Sequence, residues 1–426
     1  MLDLRYIREH PEQVSAAIAN KGEAGDVSRI LALDERRRDL LQRVETLKHD
    51  RNTFSQEVSR RKREKENADE LIEKTRAIGQ EIKQLDEELK GIQESLAVEL
   101  DRLPNLPHES VPVGRSADEN VEVRVVGSVP EFDFEIADHL TVGERLDIID
   151  FPRGSKVTGR GFPVYKGRGA RLERALINFM LDTHSGPHGY REIIPPFLAN
   201  RESMRGTGQL PKLEEDMYFV GEDDLFLIPT AEVSVTNLHR DEIIEGEDLP
   251  IRYCAYSPCF RREAGSWGKD TRGFQRLHQF NKVELVKFVR PESSYDELEL
   301  LLKDACRIID LLGLHYRVIE LCTGDLSFAA AKCYDIEIWA PADRKWLEVS
   351  SCSNFADFQA RRMNVRFRPE PGGRPELLHT LNGSGLATPR LMVAILETFQ
   401  TADGAVVVPE PLRPYTGFDI IRPEDE

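Results

Sequence analysis

The strongest limit on how this chain can fold is a pair of matched apolar seams in its first hundred residues. Leu33, Arg37, Leu40, Val44, Leu47, Arg51, Phe54 and Val58 follow one another at alternating steps of four and three. Leu71, Thr75, Ile78, Ile82, Leu85, Leu89, Ile92 and Leu96 do the same. Such spacing draws a narrow stripe along a helix, the pattern of a coiled-coil seam. No proline interrupts Leu33 to Leu103, and Gly79 and Gly91 sit off the stripe. The charged segment Arg60 to Asp69 separates the two series. A dimerising coiled coil is one way to use a seam. Two matched seams with a short polar break favour one helix out, a reversal near residues 64–69 and one helix back, an arm about 50 Å long at ~1.5 Å per residue. Charge is uneven along it, with 11 Lys/Arg against 7 Asp/Glu from Leu33 to Lys65, and 5 against 11 from Glu66 to Leu103. The basic excess gathers at Arg60, Arg61, Lys62, Arg63 and Lys65, beside the reversal. Solvation alone accounts for many charge runs. A long arm with a basic tip also suits contact with an RNA backbone.

The remaining residues are enough for a second domain, since the chain has 426 in all. The net charge of −17 argues against general affinity for nucleic acid, so any RNA contact must be local. Six cysteines (254, 259, 306, 322, 333 and 352) lack CxxC spacing and read as buried thiols. The charged start, MLDLRYIREHPEQ, does not suit a signal peptide, and no apolar run approaches ~18 residues. A soluble, reduced, cytoplasmic protein with no membrane partner is expected.

Leu4, Ile7, Val14 and Ile18 predict a short amphipathic helix before the arm. Residues 101–132 carry Pro104, Pro107, Pro112 and Pro130 and read as a linker. The expected division is residues 1–105 with the arm at about 30–103, a linker at 106–132, and a second domain at 133–426. In that domain Leu172 to Leu181 predicts a helix, and Arg191 to Phe197 a strand stopped by Pro195 and Pro196. Strands are expected at Leu225–Ile228, Val283–Val289, Cys333–Trp339 and Trp346–Val349, and a helix at Ser294–Leu312 with Ser294 and Glu297 at capping-box spacing. Antiparallel strands flanked by helices fit better than alternating βα units, and neither a P-loop nor a Rossmann fingerprint occurs.

Two stretches carry the chemistry. FRREAGSWGKDTRGFQRLHQFNKVE, Phe260 to Glu284, reads as two strands joined by a long loop with Gly265, Gly268, Lys269 and Gly273, with arginines and carboxylates on the strands. LNGSGLATPR, Leu381 to Arg390, reads as a glycine-rich turn feeding an amphipathic helix. Together they resemble motifs 2 and 3 of the class II aminoacyl-tRNA synthetases, and the helix, strand and Pro196 before them resemble motif 1. The wording is closest to the bacterial seryl-tRNA synthetase family, over nearly the whole chain. The resemblance implies an α+β fold, an antiparallel-sheet class II catalytic domain preceded by a helical-hairpin arm. It also implies a homodimer that uses ATP and Mg²⁺ to activate L-serine and passes it to tRNA(Ser), and to tRNA(Sec) where that exists.

Making an adenylate asks little covalent help of a protein. The amino acid's carboxylate is already an anion, so the need is to hold two anions in line and spread the developing charge. The resemblance therefore puts Arg261 on the α-phosphate and the substrate carboxylate, Glu263 on the adenine amino group, Phe280 under the adenine ring, and Arg276 on the outer phosphates. Arg262, Leu277, Val349 and Ser350 join the ATP-binding set. Arg390, at the start of the motif 3 helix, would meet the γ-phosphate, with Arg261 and Arg390 as the catalytic pair. Glu348 and Ser351 would hold Mg²⁺. Serine would be read by Thr230, Ala231, Glu232, Arg261, Glu284, Asn382 and Ser384. The five basic residues at the arm's tip would meet tRNA. His278 reads as structural, because the first step needs no general base. Three rivals are a ligase that charges a carrier protein, a non-catalytic paralogue, and a coiled-coil scaffold. The arm counts against the first, the intact motifs against the second, and some 300 residues outside the arm against the third.

Overall fold

The computed structural model describes residues 1–264 and 273–423. They form two compact units, Met1–Pro104 and Asn105–Glu426.

In the first unit the seams become two long helices, α3 (Val27–Arg63) and α4 (Asp69–Asp101), after α1 (Leu4–Glu9) and α2 (Pro11–Asn20). The single amphipathic helix expected at the start is thus two. Pro11 lacks the N–H to continue α1 and instead occupies the first turn of α2. At 37 residues α3 spans about 55 Å. Leu40, Val44, Leu85 and Leu89 form the buried centre of the seam. Arg36 pairs with Glu88 at 2.6 Å and Arg43 with Glu81, so the helices run antiparallel, as expected of a hairpin. Asp34, fully buried, is held by Arg8 at 2.8 Å and Arg37 at 2.7 Å. The tip is less basic than its composition, because Arg60 pairs with Glu57 and Glu64, and Arg61 with Glu57. Lys62, Arg63 and Lys65 form no ion pair among the described residues.

The second unit is built on an eight-stranded sheet. In chain order its strands are β1 (Val121–Val126), β2 (Arg191–Ile193), β3 (Ile251–Phe260), β4 (Gln279–Val289), β5 (Tyr316–Glu320), β6 (Lys332–Ala340), β7 (Lys345–Asn354) and β8 (His379–Ala387). Their spatial order is β1-β5-β6-β7-β8-β4-β3-β2. Every pairing is antiparallel except β2 with β3.

Three expectations change here. Residues 106–132 are no free linker. The His108 N–H donates to the Ala331 carbonyl at 2.8 Å, the Pro112 carbonyl accepts from the Thr323 N–H at 2.9 Å, and β1 completes the sheet edge on β5. The prolines keep this stretch extended, and its polar groups find partners on the body. Leu381 to Ala387 is a strand rather than a turn, since it pairs with β4 as far as Ala387 and with β7 over Leu381–Gly383. Ser294 does not cap its helix. Its hydroxyl meets His379 Nδ1 at 2.8 Å, while Glu297 pairs with Lys287 and Arg252, and a 3₁₀ turn at Pro291–Ser293 leads in.

The sheet divides its side chains by the two-residue period of a strand. Val283, Leu285 and Cys254 join the main core with the helices Gly167–Ser185, Ser294–Leu312 and Thr388–Thr398. Val286, Phe288, Tyr253 and Ala255 join a second core with the helix Ala231–Thr236. Lys282 and Glu284 share the parity of Val286 and Phe288. This alternation brings both charged side chains to the face that carries the pocket.

Candidate active site

A cavity of about 660 Å³ opens beside β4, β7 and β8. Its lining includes Thr230, Glu232, Arg261, Glu263, Arg276, Leu277, Phe280, Glu284, Glu348, Val349, Ser351, Asn382, Ser384 and Arg390. Residues from four separate stretches of sequence thus converge on one space.

One end is built from the flanks of the β3–β4 hairpin. Phe280 pairs with Cys259 on β3, and the Arg261 guanidinium lies over the Phe280 ring at 5.2 Å. The arginines sit just past the strand rather than on it, because β3 ends at Phe260 and β4 begins at Gln279. His278 fixes this exit. Its carbonyl accepts from the Arg261 N–H at 2.9 Å, and its Nδ1 meets the Arg261 carbonyl at 3.0 Å. Glu263 pairs with Arg276. Gly265, Gly268 and Lys269 lie outside the described residues. Gly273 is needed where it stands, since a Cβ there would lie 2.3 Å from His139 Nε2.

Arg390 crosses from the helix Thr388–Thr398 to β7. Its Nη1 donates to the Glu348 carbonyl at 2.7 Å and lies 3.4 Å from the carboxylate. Pro389 occupies the first turn of that helix. The Ser351 hydroxyl lies 3.0 Å from Cys333 Sγ. Glu348 and Ser351 make one carboxylate and one hydroxyl. Among the described residues no three His, Cys, Asp or Glu side chains gather to hold a metal. This donor pair fits a hard cation only when oxygens of a bound phosphate complete its shell.

The other end holds two buried glutamates in different settings. Glu284, 1% exposed, pairs with Lys282 at 2.5 Å and accepts from the Thr230 hydroxyl at 2.9 Å. Lys282 also reaches Thr230 Oγ1 at 2.9 Å. Glu232 pairs with no cation among the described residues. Its Oε1 accepts from Gln359 Nε2 at 2.7 Å. Burial and then the Glu284 charge push its carboxyl up to about 7, against the pull of Gln359, Lys282 and Arg261. A carboxyl raised in the fold favours the folded state below the ordinary carboxyl range. That contribution is lost as pH climbs from about 4.5 through about 7. Ser384 stands opposite Glu284 on the neighbouring strand, and Asn382 opposite Val286.

Three expected site residues point elsewhere. The Ser350 hydroxyl donates to the Ser384 carbonyl at 2.7 Å, turned there by the alternation of β7. Ala231 packs into the second core. Arg262 is absent from the lining, and its N–H is pinned to the Asp216 carbonyl at 2.9 Å. Lys282 and Gln275 line the cavity and were not expected. Lys282 had a usable signal, its two-residue spacing from Glu284. Gln359 had none.

The family model for the tRNA synthetase class II core domain (G, H, P, S and T) matches residues 217–399, and that for the seryl-tRNA synthetase N-terminal domain matches residues 1–107. Serine–tRNA ligase of Carboxydothermus hydrogenoformans is 57% identical over 99% of both chains. That of Chlorobaculum parvum is 56% identical over 99% of this chain and 100% of its own. Seryl-tRNA synthetase from Pyrococcus horikoshii, solved in complex with ATP, covers both chains completely with a TM-score of 0.95 at 39% identity. The cytoplasmic enzyme from Naegleria fowleri, solved with AMP, aligns with a TM-score of 0.89 at 30% identity. With the arm, the eight-stranded sheet and relatives that match end to end, the chain belongs to the seryl-tRNA synthetase family and is a serine–tRNA ligase, a class II aminoacyl-tRNA synthetase.

Proposed function

We propose that the cavity forms seryl-adenylate from L-serine and ATP and then passes the seryl group to tRNA. The observation that carries this is the split between the pocket's two ends. One presents Arg261, Arg276, Arg390 and an aromatic ring, and the other two buried glutamates beside Ser384. Phe280 stacks under the adenine, and Glu263 accepts from its amino group. Arg276 and Arg390 grip the outer phosphates. Arg261 bridges the α-phosphate and the serine carboxylate, a task for a planar fork of donors. Glu348 and Ser351 hold Mg²⁺, which neutralises phosphate charge when bound. Thr230 and Glu232 take the serine ammonium, while Glu284 and Ser384 take its hydroxyl, with Asn382 nearby. A site that hydrogen-bonds a hydroxyl rejects alanine, because its buried partners would be left unpaired.

Amino-acid-dependent ATP–pyrophosphate exchange without tRNA tests this reading. Exchange with serine, and none above background with alanine or glycine, is the expected result. Exchange with another amino acid in place of serine would overturn the pocket assignment.

The arm's tip carries the tRNA contact in this reading, for tRNA(Ser) and for tRNA(Sec) where it exists. Among the described residues, Lys62, Arg63 and Lys65 are the cations without carboxylate partners there. Changing all three to Gln should lower kcat/KM for tRNA about tenfold or more and flatten its salt dependence. Pyrophosphate exchange should stay unchanged, and an unaltered tRNA KM would remove the tip from the interface. Working as a homodimer fits the exposed apolar residues beside motif 1, since Ile194 is 84% exposed. A cytoplasmic setting fits six cysteines that are all free and buried. Among the described residues no helix is long and apolar enough to cross a membrane.

A further inference from the structure

Glu232 is held by an uncharged group in a pocket otherwise rich in charge. Gln359, 1% exposed on the helix Phe358–Met363, gives its amide nitrogen to Glu232 Oε1 at 2.7 Å and to the Thr207 carbonyl at 3.1 Å. Its own oxygen accepts from the Thr380 hydroxyl at 2.8 Å. Thr380 is fully buried on β8, the strand that also carries Asn382 and Ser384. A backbone carbonyl can only accept, so the Thr207 contact fixes which way the amide points. Gln359 can therefore only donate to Glu232.

The chemistry explains why a neutral donor belongs here. An ionised Glu232 faces Glu284 and Lys282 from β4 and Arg261 from the end of β3. A lysine or arginine in place of Gln359 would cancel the Glu232 charge and compete with an incoming ammonium. An amide favours the carboxylate over the carboxylic acid and adds no positive charge, so the charge stays available for the ligand. The bond also uses Oε1, which leaves Oε2 for the pocket.

We propose that Gln359, anchored by Thr380, is a positioning residue that sets the aim and ionisation of Glu232 and thereby governs amino-acid binding without touching the amino acid. This rests on the reading of Glu232 as the ammonium's partner. If Gln359 becomes glutamate, two buried carboxyls share one proton and the pair stays protonated to higher pH. Serine binding needs the ionised form, so kcat/KM for serine rises with pH, and its ascending limb should move up.

The test is serine-dependent pyrophosphate exchange by the full chain across neutral and alkaline pH, comparing Q359E, T380V and E232Q. Q359E should raise the serine KM at neutral pH at least about tenfold, leave the ATP KM unchanged, and shift the limb upward by about one pH unit or more. T380V keeps the amide but loosens it, and should give a smaller shift in the same direction. An unmoved limb in T380V, or ATP and serine KM rising together in Q359E, overturns the proposal while an impaired E232Q keeps the underlying reading. An E232Q with normal serine KM overturns both.

Discussion

Replacing Arg261 with alanine is expected to lower serine-dependent pyrophosphate exchange by about a thousandfold or more while the fold survives. The two halves of this expectation have separate grounds. Within the protein the guanidinium makes a long contact to the Pro229 carbonyl at 3.4 Å and lies over Phe280, so its loss removes little packing. In the proposed reaction it would face two anions that must approach each other, where a fixed cation is worth far more than in water. Removing a single preorganised donor elsewhere in catalysis costs about 10²–10³ in kcat, and a bridging guanidinium supplies at least two such bonds. Lysine should recover only part of the loss, because a point charge cannot bridge in two directions. Exchange kinetics with a thermal melt on the same sample decide the matter. Activity within about tenfold of the parent would remove Arg261 from its assigned role.

The second large effect is expected at Lys282, which is part of the pocket's charge balance. Glu232 and Glu284 are 6% and 1% exposed, and Lys282 is the cation that pairs with Glu284. In Lys282→Met the ammonium disappears and Glu284 is left buried without the cation it pairs with. Breaking a buried pair from one side costs about 3–5 kcal/mol. The serine KM should rise by about a hundredfold, because Thr230 and Glu284 lose the group that orients them. The double variant Lys282→Met with Glu284→Gln should regain much of the stability, since no charge is then stranded, without regaining serine binding. Melting temperatures and serine KM for the two variants give the answer. A stable Lys282→Met with ordinary serine KM would show that the pair carries neither load.

These effects could be anticipated from the sequence to different degrees. Arg261, Glu263, Arg276 and Phe280 lie within one stretch of 25 residues, and Arg390 in a second stretch, so local pattern sufficed to mark them. Leu40, Val44, Leu85 and Leu89 were legible for another reason. A helix repeats every 3.6 residues wherever it lies, so the seam is written along the chain. The polarity of the hairpin, seen in the Arg36–Glu88 pair, also followed from the short break between seams.

Where the reading departed from the structure, long-range pairing was responsible. Leu381–Ala387 has the glycines of a turn but forms a strand, because β4 supplies partners as far as Ala387 and β7 does so over Leu381–Gly383. Residues 106–132 have the prolines of a linker but belong to the body, because the His108 N–H meets the Ala331 carbonyl and β1 pairs with β5. Ser350 and Ser351 are adjacent in sequence, yet only Ser351 lines the cavity, since successive side chains of β7 point to opposite faces. The arm, the strand-rich second unit and the three arginines that line the cavity were written in the sequence, since periodicity and short motifs are local properties of a chain. That Gln359 holds Glu232, 127 residues away, and that Lys282 reaches both Thr230 and Glu284, came from the folded arrangement alone. Those contacts depend on which strands lie side by side, and no local pattern of residues encodes that.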